Sequence, residues 1–255
     1  DGLPIATYGQ DEIKGFARVF TGWTHADQNQ SQDWRFYWPE ERFRQRMSPW
    51  ESHHEQGTEQ LLDGVLLSAN LGAPNDVIIS LNQVFNHPNV GPFVCKQLIQ
   101  RLVTSNPTPA YVYRCGQAFA NNGSGVRGDM KKVVKTILMD YEARTPSVAA
   151  QTGYGKLREP IVRFGGLMRS LGATTSTGDN RLRYYWLDSP EWGLGQNPLR
   201  STTVFNFFEP SYAQPGEIAQ AGLVSPEFKI TTETTAFGTP NFLRGVLFEG
   251  WMYDD

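Results

Sequence analysis

The sequence has 255 residues, a formal net charge of −3, 39% hydrophobic residues and 13% aromatic residues. A chain of this length can bury a sizeable core in one or two domains, and its near balance of charge excludes a broad basic surface for nucleic acid. No apolar run approaches the roughly 18 residues that a membrane-spanning helix needs. Two cysteines are too few for a disulfide scaffold or a zinc cluster.

The first 70 residues predict one helix and a long irregular segment. The chain begins at Asp1 and not at a methionine, so we expect a processed protein or part of a longer product, and no charged-then-apolar leader precedes the first helix. Apolar residues spaced by three and four, from Ile13 to Phe20, predict a helix over about residues 10–21. Residues 23–58 lack a period, and their tryptophans predict an irregular segment held by buried rings. The stretch LLDGVLL at 61–67 predicts a short strand pair turning at Asp63–Gly64.

Residues 75–172 predict the helical core. One helix starts near Asn75, with an apolar face made of Val77, Ile78, Leu81, Val84 and Phe85. Further helices start near Asn89, after the caps Thr108 and Asp129, and at Pro160.

After about residue 173 the periodicity fades. The chain there is rich in proline, glycine and aromatic residues, which predicts an extended wrapping segment over 173–255. The expected fold is therefore mainly α. It is a single helical domain over 1–255, an orthogonal or antiparallel bundle with long aromatic-rich loops and at most a small β-hairpin.

The histidine in NHPNVGPF (86–93) has two interpretations. Proline placement puts the helix start at Asn89, because Pro92 is tolerated only in the first turn, so His87 lies in the corner between two helices. It either bonds the last carbonyls of the preceding helix or joins a catalytic or metal site. Such a site needs a divalent metal, His53 or His54 beside His87, and a carboxylate such as Glu55. The histidines have neither the H-x-x-x-H nor the HExxH spacing of zinc motifs.

The two cysteines lie at similar distances from a short helical corner. Cys95 precedes the turn at 105–108 by about ten residues and Cys115 follows it by about nine, so antiparallel helices bring them face to face. They are either two buried thiols or a disulfide that closes a loop of about 20 residues and stabilises the fold by about 3 kcal/mol. A disulfide would indicate an oxidising compartment.

A second candidate site combines rings and carboxylates. Asp188 and Glu191 lie among Tyr184, Tyr185, Trp186 and Trp192. Rings that stack on sugar faces beside carboxylates are typical of carbohydrate sites, whereas the alternative is that these rings cover the core. The sequence contains no G-x-S-x-G elbow, P-loop or dinucleotide fingerprint.

Several long segments resemble one bacterial family. These are YGQDEIKGFARVFTGW (8–23), HPNVGPFVCKQLIQRLVTSNPTPAYVYR (87–114), GVRGDMKKVVKTILMDYEAR (125–144), KLREPIVRFGGLMRSLG (156–172), QNPLRSTTVFNFFEPSY (196–212) and GLVSPEF (222–228). They are similar to the family catalogued as domain of unknown function 1800. The resemblance implies a mostly helical fold, export, and a longer protein of which this chain is an internal or C-terminal portion. It implies no activity, and no catalytic residue is carried over from it.

We therefore expect an exported structural or assembly component of the bacterial cell surface. Its expected partners are the remaining segments of its own chain, further copies, or a secreted sulfatase-like protein, which the resemblance implies. This hypothesis needs a large exposed apolar patch.

Two alternatives remain. A hydrolase of extracellular polysaccharide, or of sulfate or phosphate esters, needs His54 and His87 within about 7 Å of each other to share a metal. A carbohydrate-binding module needs Trp186 or Trp192 exposed.

Overall fold

A computed structural model describes residues 8–26, 30, 32–38, 44–175, 178, 182–183, 186–204, 206–251 and 253–254. Within these residues the fold is mainly α, as predicted, and no helix is long and apolar enough to span a membrane. The helices are α1 Gln10–Val19, α2 Trp34–Tyr37, α3 Ala73–Asn86, α4 Val90–Leu102, α5 Pro109–Ala120, α6 Met130–Met139, α7 Tyr141–Arg144, α8 Pro146–Ala149, α9 Pro160–Ser170, α10 Glu217–Gln220 and α11 Glu233–Phe248. The strands are β1 Trp23–Thr24, β2 Ser48–Pro49, β3 Glu59–Gln60, β4 Leu66–Leu67, β5 Leu182–Arg183 and β6 Tyr253–Asp254.

The strands form short antiparallel pairs. The predicted pair is confirmed as β3 with β4, in which Glu59 faces Leu67, and a turn of 3₁₀ helix over Leu62–Gly64 joins the strands. Asp63 and Gly64 both have positive φ, which suits an Asp-Gly turn. The described residues also contain β1 paired with β2 and β5 paired with β6, two pairs that the sequence did not predict.

Tertiary contacts divide the chain into two compact units, residues 1–90 and 91–255, and the single domain over 1–255 stays a prediction. In the first unit, Val19 of α1, Leu61 and Leu67 form the buried core, and Val77 of α3 packs against it. Of the apolar residues that predicted α1, Phe16 packs against this core, whereas Ile13 and Phe20 are about half exposed. The helix also approaches β3 through Gly15, where a Cβ atom would lie 1.9 Å from the carbonyl oxygen of Gln60.

The irregular segment buries fewer rings than expected. Trp50 is buried, and the His53 ring stacks on Phe36 with centroids 4.0 Å apart. Trp34 and Trp38 are exposed. The stack around Trp50 and His53 therefore fixes part of this segment, and the expectation of a fully buried aromatic set is wrong.

Helix α3 is rotated from the prediction: Val77 packs against the buried core, but the other four residues of the expected face are exposed. Its buried side carries Ala73, Asp76 and Ser80, whereas Ile78 is 58% exposed and Leu81 is 51% exposed. The polar side faces inward because Asp76 is bonded to the buried His54. Most of the apolar face that the sequence assigned to the core is therefore exposed, namely Ile78, Leu81, Val84 and Phe85.

In the second unit a disulfide joins α4 and α5. The Cys95 and Cys115 Cα atoms are 5.7 Å apart, and both residues are fully buried, so the cysteine pairing is confirmed. The Thr108 side chain caps α5 by accepting from the Tyr111 amide, and Pro109 opens the helix as predicted.

Helix α6 begins where the sequence placed it, after Asp129, whose carboxylate accepts from the Lys132 amide. The Tyr111 hydroxyl donates to the carbonyl oxygen of Ile137 at 2.6 Å and so ties α5 to α6. Arg114 reaches from α5 to Asp140, which follows the last residue of α6, and to Glu142 of α7.

The second core cluster corrects the expectation of an extended tail. Phe164 and Met168 of α9 pack with Phe242 and Val246 of α11, a 16-residue helix within the segment predicted to be extended. The sequence did not predict this helix because the helix contains Gly238, Pro240, Gly245 and several threonines, all of which have low helix propensity. The Thr232–Thr235 capping box and the packed face stabilise it nevertheless.

Candidate functional site

The loop over 186–200, which we call the tryptophan loop, forms a candidate surface site. Leu187 and Leu194 anchor it in the core beside α9 and α11. Between them the backbone closes on itself, because the Leu194 amide donates to Leu187 at 2.9 Å and the Gly193 amide donates to Ser189 at 3.0 Å. The loop is therefore a fixed platform and not a loose connection.

Two glycines make this platform possible. A Cβ atom on Gly193 would lie 2.2 Å from the carbonyl oxygen of Trp186, so residues 186 and 193 touch through their backbones. A Cβ atom on Gly238 of α11 would lie 2.1 Å from the carbonyl oxygen of Pro190. Neither position tolerates a side chain without a backbone shift, and together they bring Trp186, Trp192 and the start of α11 into one neighbourhood.

Both tryptophans on the loop face outward. Trp186 is 72% exposed and Trp192 is 64% exposed, which contradicts the interpretation that these rings cover the core. Phe237, next to the Gly238 contact, is exposed as well. Tyr184 and Tyr185, the other rings of the predicted site, lie outside the described residues.

Polar groups accompany these rings. The Asp188 carboxylate pairs with Arg200, whose Nε and Nη2 atoms each lie 3.2 Å from Oδ2. Glu191 is exposed and accepts a hydrogen bond from the Ser189 hydroxyl at 3.0 Å. Sequence reasoning identified both carboxylates and missed Arg200, because no local spacing links residues 188 and 200. The result is a planar guanidinium and two carboxylates beside exposed rings.

Trp186 adopts a backbone conformation that tryptophan rarely takes. Its φ is +56°, in the left-handed region. That region costs an L-residue about 1 kcal/mol or more, and an exposed ring recovers little of this cost through burial. Strain at an exposed aromatic residue is an observation that points to a binding role.

The predicted catalytic histidine His54 is part of a buried clasp. Its Nε2 lies 2.9 Å from Asp76 Oδ2, and its Nδ1 lies 3.1 Å from the carbonyl oxygen of Thr21. The side chain is 1% exposed. Glu51, three residues earlier, accepts the Ala73 amide with both carboxylate oxygens and so caps α3, whose own Gly72 has no side chain to do so. The clasp fastens residues 51–54 to the start of α3.

The pKa of His54 is raised above its ordinary value. Burial of the imidazole lowers it, but the hydrogen bonds to Asp76 and Thr21 and the negative charges of Asp76 and Glu51 together raise it more. Both ring nitrogens face acceptors, so the protonated imidazolium satisfies both contacts. A ring that is enclosed and doubly bonded in this way fits a structural tie and does not fit a general base that must reach a substrate.

The structure does not bring the predicted catalytic residues together. His54 contacts Asp76 in the first turn of α3, whereas His87 follows the last turn of the same helix. Eleven residues at about 1.5 Å each separate these positions by about 16 Å. His87 accepts the Asn89 amide on Nδ1 at 3.2 Å and so shapes the corner, and the Glu55 side chain is exposed.

No cluster of histidine, cysteine, aspartate or glutamate suited to a metal ion occurs among the residues that the structure describes. The geometry therefore gives no support to a shared metal at His54, Glu55 and His87.

Sequence reasoning also missed a charged cluster in the second unit. Glu227, which is 1% exposed, lies 2.7 Å from Lys156 Nζ and 3.9 Å from Arg101 Nη1. These residues come from three distant parts of the chain. The local sequence signal is Glu227 itself, a carboxylate between Pro226 and Phe228 in the stretch SPEF.

The chain is therefore a mainly helical protein with a disulfide and a loop that exposes two tryptophans. The sequence as a whole shows which family it belongs to. The chain belongs to the family described as protein of unknown function DUF1800, whose model matches residues 2–249. No curated protein and no solved structure matches the chain.

Proposed function

We propose that the protein is an exported structural component of the bacterial cell surface that binds polysaccharide through the tryptophan loop. The observation that carries this proposal is the pair of exposed tryptophans on a backbone held rigid by Leu187 and Leu194. Exposed planar rings stack on the apolar faces of sugars, while Asp188, Glu191 and Arg200 offer acceptors and donors for sugar hydroxyl groups.

The assembly part of the proposal is supported by helix α3. Its exposed apolar side chains Ile78, Leu81 and Phe85 lie in a row at helical spacing. Contiguous apolar surface of this kind is typical of contacts with another protein.

Export is supported by the disulfide. The Cys95–Cys115 bond is buried between α4 and α5, and disulfides persist in oxidising compartments such as the periplasm and the cell surface. The alternative of a hydrolase has less support, because His54 is enclosed and lies far from His87.

A binding assay on insoluble polysaccharides tests the carbohydrate contact. Wild-type protein should co-sediment with at least one of cellulose, chitin, peptidoglycan sacculi or acidic exopolysaccharide. The Trp186→Gly/Trp192→Ala double variant should bind at least about fivefold more weakly, since a ring contact is worth about 1 kcal/mol.

The matched control is Phe248→Ala, which removes an exposed ring at the far end of α11. Phe248 lies ten residues, or about 15 Å, beyond the Gly238 contact, so this variant should bind like the wild type. Unchanged binding of the double variant, or equal loss in Phe248→Ala, would contradict a site on the tryptophan loop.

A further inference from the structure

A cavity of about 440 Å³ opens in the second unit, away from the residues assigned above. Its walls come from the turn Ser105–Asn106, the loop ending at Lys156–Leu157, and the segment that runs from Ile218 to Phe228. Three of the segments that carry the family resemblance, in 87–114, 156–172 and 222–228, meet here. The volume lies within the range of small-molecule sites.

The cavity is built by reciprocal hydrogen bonds and not by loose packing. The Asn106 side chain accepts the Val224 amide at 2.8 Å and donates to the Val224 carbonyl at 3.0 Å. In the same way the Thr104 hydroxyl accepts the Gly155 amide and donates to the Gly155 carbonyl. These paired contacts hold all three walls in register, so the opening is a fixed feature of the fold.

The charged cluster at one wall is positive overall. Two cations, Lys156 and Arg101, face the single carboxylate of Glu227, which leaves one positive charge in excess. The Arg101 guanidinium also lies over the Phe208 ring, 4.1 Å from its centroid. Lys156 is the cation that lines the cavity.

The ammonium group of Lys156 has three N–H donors, and two of them are engaged. One faces Glu227 Oε1 at 2.7 Å, and one donates to the Arg101 carbonyl at 3.0 Å. The third has no partner among the described residues, and Lys156 lines the cavity. A partly buried ammonium beside apolar walls favours an anion, because the excess charge is poorly screened there.

We propose that this cavity binds a small amphiphilic carboxylic acid. The carboxylate accepts the third donor of Lys156, and the apolar body lies against Leu157, Leu223 and Phe228. Neither the tryptophan loop nor the polysaccharide contact takes part, so this site stands or falls independently of the proposed function.

Calorimetric titration of the intact chain with decanoate, 1-decanol and decylamine tests the proposal. Decanoate should bind one to one, and at least about tenfold more tightly than decanol, because a charge-assisted hydrogen bond is worth about 1.5–3 kcal/mol. Decylamine should bind more weakly still. Equal affinity for decanoate and decanol, or no binding of decanoate up to its solubility, would overturn the proposal.

Two variants and a control locate the site. Ile218→Trp fills the cavity and should abolish decanoate binding. Lys156→Gln/Glu227→Gln removes the ion pair without leaving a buried charge unpaired, and should bring decanoate down to the affinity of decanol. Arg158→Gln removes an exposed cation nearby and should bind like the wild type.

Circular dichroism and thermal melts should show that all three proteins are folded. If a variant does not fold, the comparison of decanoate with decanol on the wild type still decides the question. Wild-type affinity for decanoate in a folded Ile218→Trp, or equal losses in Arg158→Gln and the double variant, would overturn the assignment to this cavity.

Discussion

At the scale of single residues, the two tryptophans of the loop share exposure but differ in backbone. Trp186 has a φ of +56°, whereas Trp192 is not among the residues with positive φ. Glycine relieves strain in the left-handed region, but it adds conformational freedom to the unfolded chain everywhere else. The same substitution should therefore have opposite effects on stability at the two positions.

We expect Trp186→Gly to leave the free energy of unfolding unchanged or to raise it by up to about 1 kcal/mol, and Trp192→Gly to lower it by about 0.5–1 kcal/mol. Urea denaturation followed by circular dichroism measures both. Both variants should lose affinity for the polysaccharide that the wild type binds. A stability loss in Trp186→Gly as large as that in Trp192→Gly would show that the left-handed conformation at residue 186 carries no strain.

The raised pKa of His54 makes the clasp sensitive to pH. Because the pKa is higher in the folded state than in the unfolded state, the clasp stabilises the fold fully below the unfolded pKa. This contribution is lost as the pH rises through the folded pKa. His54→Gln keeps a polar side chain but cannot be protonated.

The difference in unfolding free energy between wild type and His54→Gln should therefore be larger at about pH 6 than at about pH 9. Urea titrations of both proteins at the two pH values measure it. His53→Gln is the matched control, since His53 Nε2 pairs with Asp33, whose side chain is 72% exposed, and that pair is screened by water. A difference that is constant or grows with pH would contradict the charged clasp.

At the scale of helices and strands, local signals predicted what local chemistry decides. The cap and proline at Thr108–Pro109 and the cap at Asp129 fixed the starts of α5 and α6 from the sequence. Antiparallel packing across the short corner likewise predicted the facing cysteines. These features depend on contacts within a few residues or across one turn.

Features that depend on distant partners were not predictable. Helix α11 packs on the α9 face and approaches Pro190 through Gly238, and neither of these partners lies in its own sequence. Helix α3 turns its Asp76 side inward because Asp76 forms a hydrogen bond with His54, 22 residues away. The Lys156–Glu227 pair joins residues 71 positions apart, so its cavity could not be found from spacing.

The outward face of α3 gives a test on the helix itself. Leu81 is about half exposed, whereas Val77 packs against the core of Val19, Leu61 and Leu67. We expect Leu81→Lys to change the free energy of unfolding by less than about 0.5 kcal/mol and Val77→Lys to lower it by about 2 kcal/mol or more. Urea denaturation measures both. Equal costs at the two positions would mean that the Leu81 face is covered by the chain's own core.

At the scale of the whole molecule, the free energy of unfolding depends on whether the cellular compartment keeps the disulfide oxidised. The bond closes a sequence separation of 20 residues between α4 and α5, both in the second unit. Cross-linking a loop of this length removes unfolded-state entropy worth about 3 kcal/mol. An exported protein retains this contribution, whereas a reducing cytoplasm would remove it.

The Cys95→Ala/Cys115→Ala double variant should therefore unfold with a free energy about 3 kcal/mol lower than the oxidised wild type, and reductant should destabilise the wild type but not the variant. Protein isolated from its native source should show no free thiol when it is alkylated under denaturing conditions and weighed by mass spectrometry. Two alkylated cysteines would contradict export to an oxidising compartment. Because both sulfur atoms lie in a fully buried site, alkylation requires unfolding first, so the thiol count reports the oxidation state in the cell and not chance exposure on the surface.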